Sequence, residues 1–519
     1  MLPGQAKFRP RRRHRKSRNG CMECKRRRIK CDEVKPSCSR CILTMQQCIY
    51  GNTQPDQLLP TPSPRTSSLE RQSPPLLESL HLSQKVEVDT SDTALYHHYL
   101  THTSKTLTAN KTDHHAIQIC LPTLALKSKT VFHSILALSA ACLCCDMIYS
   151  DTEPDVSTVS HILMTGYRHY NLASERLREL ISRPSAANAE PLLAAPPALV
   201  PFVTASQQIN HWLSNRGAPH FHSLSPAQSQ KLLTCTPRDV IVISRGISAT
   251  IRALEQANLS PETCFSPPKE EIDSMDEYTC SSPESHVETP PSHKHPMYHI
   301  IARTSQSAFA KLQDRIDSAL FFSSSPSDAL TACADAFKVL DTLREAVFPS
   351  SHSNQPLPPS MTKSPTLPQV PSWLAHFTAR PSTPTSSGYM TRPFLSFLVQ
   401  APYAYLELVL PLLDKRLEGP STPSPHQSPI GEVELNVEQA LALDIYAHWS
   451  VLMILVGEES WWIGKLPDIT LSGMVNRYGE GFVNSLLLGS GNENGNGNGE
   501  GEWWPGSMLR VEREVGRYR

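Results

Sequence analysis

Apolar positions recur at helical spacing from about residue 92 to residue 457, and the recurrence stops wherever proline and serine accumulate. In HILMTGYRHYNLASERLRELI at 161–181, Tyr170, Ala173, Leu177 and Leu180 share one face. Ser91 or Asp92 can cap a helix that runs through ALYHHYLTHTSKTL. Residues 131–149 predict a strongly apolar helix, and VPFVTASQQINHWL at 200–213 another. Thr236-Pro237 reads as an N-cap and first-turn proline opening a helix at 237–254. Further helices are expected near 297–322, 326–347, 393–416 and 437–457. Alternating runs are few, so little sheet is expected. The apolar run at 131–145 contains His133, Ser134 and Ser139 and is read as too short to cross a membrane.

Between these segments lie stretches that build no core. Residues 51–90 are rich in Pro, Ser and Gln and read as a disordered linker, whose prolines break any coiled coil. Residues 259–296, 349–387 and 417–434 read as disordered insertions in a regulatory domain spanning 92–480. Residues 488–519, which include GNENGNGNGEGE, read as a low-complexity tail. From Glu262 to Glu288 there are eight acidic residues against Lys269 alone, which suits either an acidic activation segment or a solvated loop.

Charge changes the picture. The 519 residues carry no net charge, yet residues 1–50 hold 15 Lys and Arg against 3 acidic residues. A basic head on an acidic body fits a nucleic-acid module joined to an interaction domain. RPRRRHRKSR at 9–18, in a basic arm over 1–20, pairs with KRRR at 25–28 as a bipartite import signal, which places the chain in the nucleus. The same arm can lie along phosphates.

The chemistry concentrates at 21–48. Cys21, Cys24 and Cys31 recur 17 residues later as Cys38, Cys41 and Cys48. Two tetrahedral zinc ions need eight sulfur positions, and six thiolates fill them if two bridge both metals. Pseudo-symmetry makes Cys21 and Cys38 the simplest bridges. The alternative, three disulfides in a secreted module, fits poorly with a basic opening that lacks an apolar secretory segment. The other eight cysteines (Cys120, Cys142, Cys144, Cys145, Cys235, Cys264, Cys280, Cys333) show no metal spacing and read as reduced, mostly buried residues.

All six cysteines, KRRRIK at 25–30 and Lys35-Pro36 give this stretch its resemblance to the fungal Zn(2)-Cys(6) binuclear cluster DNA-binding domain. The resemblance implies two Zn2+ and double-stranded DNA with GC-rich, CGG-type sites. Only the first half is basic between its second and third cysteines, so it should face the major groove. Residues 42–47, ILTMQQ, make the second half a structural mate. The family's base-reading positions fall on Arg27 and Arg28, and a guanidinium can bond guanine O6 and N7 together. The common family pattern has Lys where this chain has Arg28. Lys25, Arg26, Lys30, Lys35 and Arg40 are assigned to phosphates.

LYHHYLTHTS, PRDVIVISRGI and YAHWSVLMILVGEESWWIG resemble the helical regulatory domain of fungal zinc-cluster activators, in the sterol uptake control-like group. That likeness implies a pathway- or gene-cluster-specific regulator of RNA polymerase II transcription, an activator by preference, with coactivators or the transcription machinery as partners. It also implies a small-molecule effector, sterol or metabolite. A zinc-containing adaptor without sequence-specific binding is the competing reading.

Other constellations point less sharply. His97, His98, His102, His114 and His115 cluster, and His98 and His102 stand at a spacing that can hold metal. No carboxylate or cysteine stands in a matching sequence position, so they read as ordinary histidines. Trp461-Trp462 and Trp503-Trp504 read as core or contact aromatics, and Glu458-Glu459 as a solvated helix end. No phosphate loop, dinucleotide fingerprint, nucleophile elbow or HExxH occurs, and the chain is not read as an enzyme.

Overall fold

The computed structural model describes residues 20–27, 29, 31, 33, 41, 88–182, 188–216, 237–259, 289–323, 327–349, 367, 370–379, 388–415, 435–479, 481–483 and 502–517. Two compact units divide the chain, Met1–Gln84 and Lys85–Arg519. Among the described residues every regular element is helical, as the sequence pattern predicts.

Among the described residues of the first unit, α1 (Met22–Arg26) is a short helix. The second begins with α2 (Asp92–His98), capped by the Ser91 hydroxyl, which accepts from Ala94 N–H at 3.2 Å. A π-helical turn at Tyr99–Thr103 extends it. Then follow α3 (Lys129–Ile148), α4 (Val156–Ser182), α5 (Pro196–Asn215) and α6 (Pro237–Leu259). The rest of the body comprises α7 (Met297–Phe322), α8 (Asp328–Val347), α9 (Ser372–Ala379), α10 (Thr391–Gln400), α11 (Tyr403–Lys415), α12 (Val437–Val456), α13 (Leu466–Tyr478) and α14 (Trp504–Arg517).

Two bundles share one core. α3 packs on α4 and α5, and α5 on α6. α12 packs on α7, α8, α11, α13 and α14. Both α3 and α12 are apolar on every side, the pattern of a helix surrounded by others. Both are also long and apolar enough to cross a membrane, which corrects the expectation for 131–145. Their apolar surface faces protein instead: 67% of the α3 window and 94% of the α12 window are buried in the fold.

Gln208 on α5 joins the bundles. Its Oε1 accepts from Tyr149 Oη at 2.9 Å, and its Nε2 donates to the carbonyls of Trp461 and Trp462 at 3.3 and 3.2 Å. Gly464 sits against it at φ +42°, where a Cβ would lie 2.6 Å from Gln208 Oε1. Only glycine fits that turn without strain.

Several boundaries differ from the sequence reading. Instead of one helix at 393–416 there are two, α10 and α11, whose axes turn by 106° at Ala401-Pro402. Pro402 removes a donor and pushes Ala401 out of helical backbone. Arg245 on α6 covers the end of α10 by donating to the carbonyls of Leu398, at 3.1 Å, and Ala401. α9 lies inside the expected insertion 349–387 and buries Leu374. A short helix, Pro291–Lys294, lies inside 259–296. Val88, placed in the linker, packs on the core. The tail is only partly low-complexity, because α14 buries Met508 and Leu509. Glu459 is buried rather than solvated. Its carboxylate accepts from Met390 N–H and Thr391 N–H at 2.9 Å, at the positive end of α10. The cap expected at Thr236 and residues 417–434 lie outside the described residues.

Candidate metal centre and nucleic-acid interface

Cys21 is the N-cap of α1, and its Sγ accepts from Cys24 N–H at 3.4 Å. The first half therefore folds on its own sulfurs, since side chain and helix terminus satisfy each other. Cys21 N–H donates to Cys31 Sγ at 3.4 Å. Glu33, in a left-handed turn at φ 62°, brings a second N–H to the same sulfur at 3.4 Å. Each of these amides favours a sulfur that carries negative charge.

The second half approaches through Cys41, which is helical. Its Sγ lies 3.5 Å from Cys21 Sγ and 4.0 Å from Cys24 Sγ. All four described sulfurs belong to residues exposed by 3% or less. They are not disulfides: that bond is about 2.05 Å. The separations fit a shared metal instead, because a tetrahedral zinc–sulfur bond of about 2.3 Å spaces its sulfurs about 3.8 Å apart. Buried thiols that converge at these separations are the donor set a zinc ion takes.

Lys25, Arg26 and Arg27 are exposed on and just past α1. Arg26 is engaged on its own helix. Its Nε and Nη2 donate to both oxygens of Glu23 at 2.9 and 2.7 Å, and the guanidinium holds the Glu23 carboxyl below its ordinary pKa. The sequence reading missed Glu23, although the i,i+3 spacing signals it. Cys38, Cys48, Arg28, Lys30, Lys35 and Arg40 lie outside the described residues.

Comparison with known proteins places the module. Residues 19–57 match the fungal Zn(2)-Cys(6) binuclear cluster domain, and residues 94–215 match the fungal specific transcription factor domain. The chain thus carries a match to each of these two domains, about a third of its length together. Three relatives are similar to parts of this chain. It is 30% identical over 172 residues to the Zn(2)-C6 fungal-type transcription factor afumD of Aspergillus fumigatus, over 33% of this chain and 41% of that protein. It is 65% identical over 34 residues to the lysine biosynthesis regulatory protein LYS14 of Saccharomyces cerevisiae, over 7% of this chain and 4% of the relative. It is 55% identical over 47 residues to sterol uptake control protein 2 of the same yeast, over 9% and 5%. The matches thus span less than half the length of each relative. No solved structure matches the chain.

The match to the fungal specific transcription factor domain runs from α2 through α5. The later part of the body meets that stretch through Gln208, which donates to the carbonyls of Trp461 and Trp462.

Proposed function

We propose that this chain is a nuclear, zinc-dependent, sequence-specific DNA-binding regulator of RNA polymerase II transcription. Cys21, Cys24, Cys31, Cys38, Cys41 and Cys48 hold two Zn2+, with Cys21 and Cys38 bridging. The observation that carries this reading is the sulfur shell of Cys21, Cys24, Cys31 and Cys41 beside exposed Lys25 and Arg27. The position of Cys21, close to a sulfur of the other half, supports its bridging role. The metal supplies structure and charge, and fixes the angle at which α1 meets a duplex. Arg27 and Arg28 read guanines in CGG-type triplets, and Lys25, Lys30, Lys35 and Arg40 hold phosphates. Coactivators are the partners of the body, and activation of one pathway or gene cluster is its output.

The intact protein should bind a CGG-containing duplex more tightly than a scrambled duplex of equal composition, and lose binding when zinc is chelated. Equal affinity for both duplexes would instead favour the adaptor reading.

An effector is a second proposal, and one observation limits it. The cavity lined by Thr204, Gln207, Tyr446, Trp449, Ser450 and Met453 measures about 40 Å³. That suits a few waters, whereas ligand pockets typically measure about 300 Å³ or more. To enter that cavity a sterol would have to displace α10, α12 or α13. A metabolite that raises the melting temperature of the body would establish a ligand-competent state; a flat response across sterols and pathway intermediates would remove the proposal.

A further inference from the structure

His98 and His102 stand four residues apart, on α2 and on the π-helical turn that extends it. Cys142 and Asp146 stand four residues apart on α3. The two helical segments pack together, and the two pairs meet. His102 Nε2 is 3.0 Å from Asp146 Oδ2, Cys142 Sγ is 3.7 Å from that oxygen, and His98 Nε2 is 3.9 Å from it. The ligand atoms of His102, Cys142 and Asp146 all lie within 4.8 Å of one another. The sequence reading found no partner for these histidines; the fold supplies a thiol and a carboxylate from about forty residues away.

We propose that His98, His102, Cys142 and Asp146 form a zinc site in the body, separate from the N-terminal cluster. A tetrahedral zinc with bonds of about 2.0–2.3 Å spaces its ligands about 3.3–3.8 Å apart, and the separations from Asp146 Oδ2 bracket that range. An ordinary ion pair accounts for His102 and Asp146. The Cys142 thiol donates to the same oxygen from one turn away on α3, and a mostly buried second imidazole, His98, approaches it from α2, so four ligand-type side chains converge on one point.

Three further features suit a metal. Thr103 Oγ1 engages His98 Nδ1 at 2.9 Å, which orients the ring and turns Nε2 to the site, the usual outer-shell arrangement for a ligating imidazole. Two neutral imidazoles, one thiolate and one carboxylate neutralise a divalent cation. The His102 and Asp146 side chains are 45% and 46% exposed, which gives an ion from solvent a route to the site. Burial holds the Cys142 thiol up at about 12, so zinc must displace its proton: Cys–SH and Zn2+ become a zinc–thiolate, and the proton passes to solvent. Bound zinc would staple the first helix of the body to α3.

The test reads zinc per chain on the intact protein after dialysis against buffered zinc. The Cys38→Ala chain, which weakens the N-terminal cluster, is compared with Cys38→Ala/His102→Ala and with Cys38→Ala/Cys142→Ser. The expected result is one zinc per chain fewer in each double variant. Zinc should also slow amide exchange over 91–106 in the wild-type chain and in Cys38→Ala, but not in the double variants. Helix content measured without metal guards against misfolding, and His102 is exposed enough to truncate safely. Equal zinc content in all three chains, with no zinc effect on exchange, would overturn the site.

Discussion

The N-terminal module and the helical body solve the same problem with different materials. In the module the described buried residues that cluster are Cys21, Cys24, Cys31 and Cys41. In the body a continuous apolar core runs from Leu95 to Leu509. A stretch shorter than about 40 residues buries too little apolar surface to fold alone, so metal takes the place of a core. The body is large enough to surround α12 with other helices. It can then place a few polar groups inside, where their bonds fix one arrangement of helices.

The comparison breaks most visibly at the metal. Cys38→Ala removes a proposed bridging sulfur from both zinc ions. Structural zinc contributes roughly 10–16 kcal/mol to the folding of small modules. The variant should lose specific duplex binding and the dispersed amide signals of Cys21, Cys24, Cys31 and Cys41. The thermal transition of the body should remain. A variant that keeps both cluster zincs would refute the bridge.

The body should break at its buried charge. Asp444 is fully buried, with Arg315 Nη2 at 2.6 Å, His448 Nδ1 at 3.2 Å and Trp503 Nε1 at 2.8 Å. Through Trp503 it anchors α14. Asp444→Ala leaves Arg315 without its counter-charge, and such a loss costs about 3–5 kcal/mol. Denaturant unfolding should show that cost, and limited proteolysis should release α14 first. Duplex binding by the module should survive wherever the body's loss is confined to α14.

Gly464 tests a tighter fit. A Cβ there meets Gln208 Oε1 at 2.6 Å and the Trp461 carbonyl at 2.9 Å, in left-handed backbone. Gly464→Ala should cost about 1–3 kcal/mol. Gln208→Ala in the same chain should relieve part of the clash. Additive costs in that double variant would mean the contact does not matter.

Acid probes the same body with a known sign. Burial alone would raise the Asp444 pKa, but His448 and Arg315 reverse that and hold the carboxyl at about 2. A carboxylate held low in the folded state stabilises it fully above its unfolded pKa of about 3.9, and that contribution fades as pH falls toward 2. It amounts to roughly 2–3 kcal/mol. Melting temperature of the body should fall between pH 4 and 2, and less steeply in Asp444→Asn. Parallel curves for the two chains would assign the acid sensitivity elsewhere.

Much of this was legible in the sequence where spacing is local. The repeat of Cys21, Cys24 and Cys31 as Cys38, Cys41 and Cys48 needs no fold to be read, and α4, α7 and α8 follow their apolar periodicity. Legibility ended where partners are distant. Nothing near Glu459 shows that it caps α10, because its partners Met390 and Thr391 lie 69 and 68 residues away. Cys142 and Asp146 meet His102 only after α2 packs on α3. α14 was hidden by its neighbourhood: a glycine- and asparagine-rich run precedes it, and its apolar stripe is only a few turns long. The turn at Pro402 was readable, since proline disfavours helix at the residue before it, but the apolar pattern on both sides masked it.

The smallest effect lies back in the module and concerns charge rather than folding. Glu23 ties Arg26 to α1 through two exposed hydrogen bonds. Glu23→Ala should free Arg26 for a phosphate without touching any cysteine. The plot of log affinity against log salt should then steepen by about one, with affinity at low salt rising for CGG and scrambled duplexes alike. A gain confined to the CGG duplex would make Arg26 a base reader and move Arg27 or Arg28 to the backbone. An unchanged slope would mean that Arg26 stays on its helix in the complex, so that α1 meets DNA through Lys25 and Arg27.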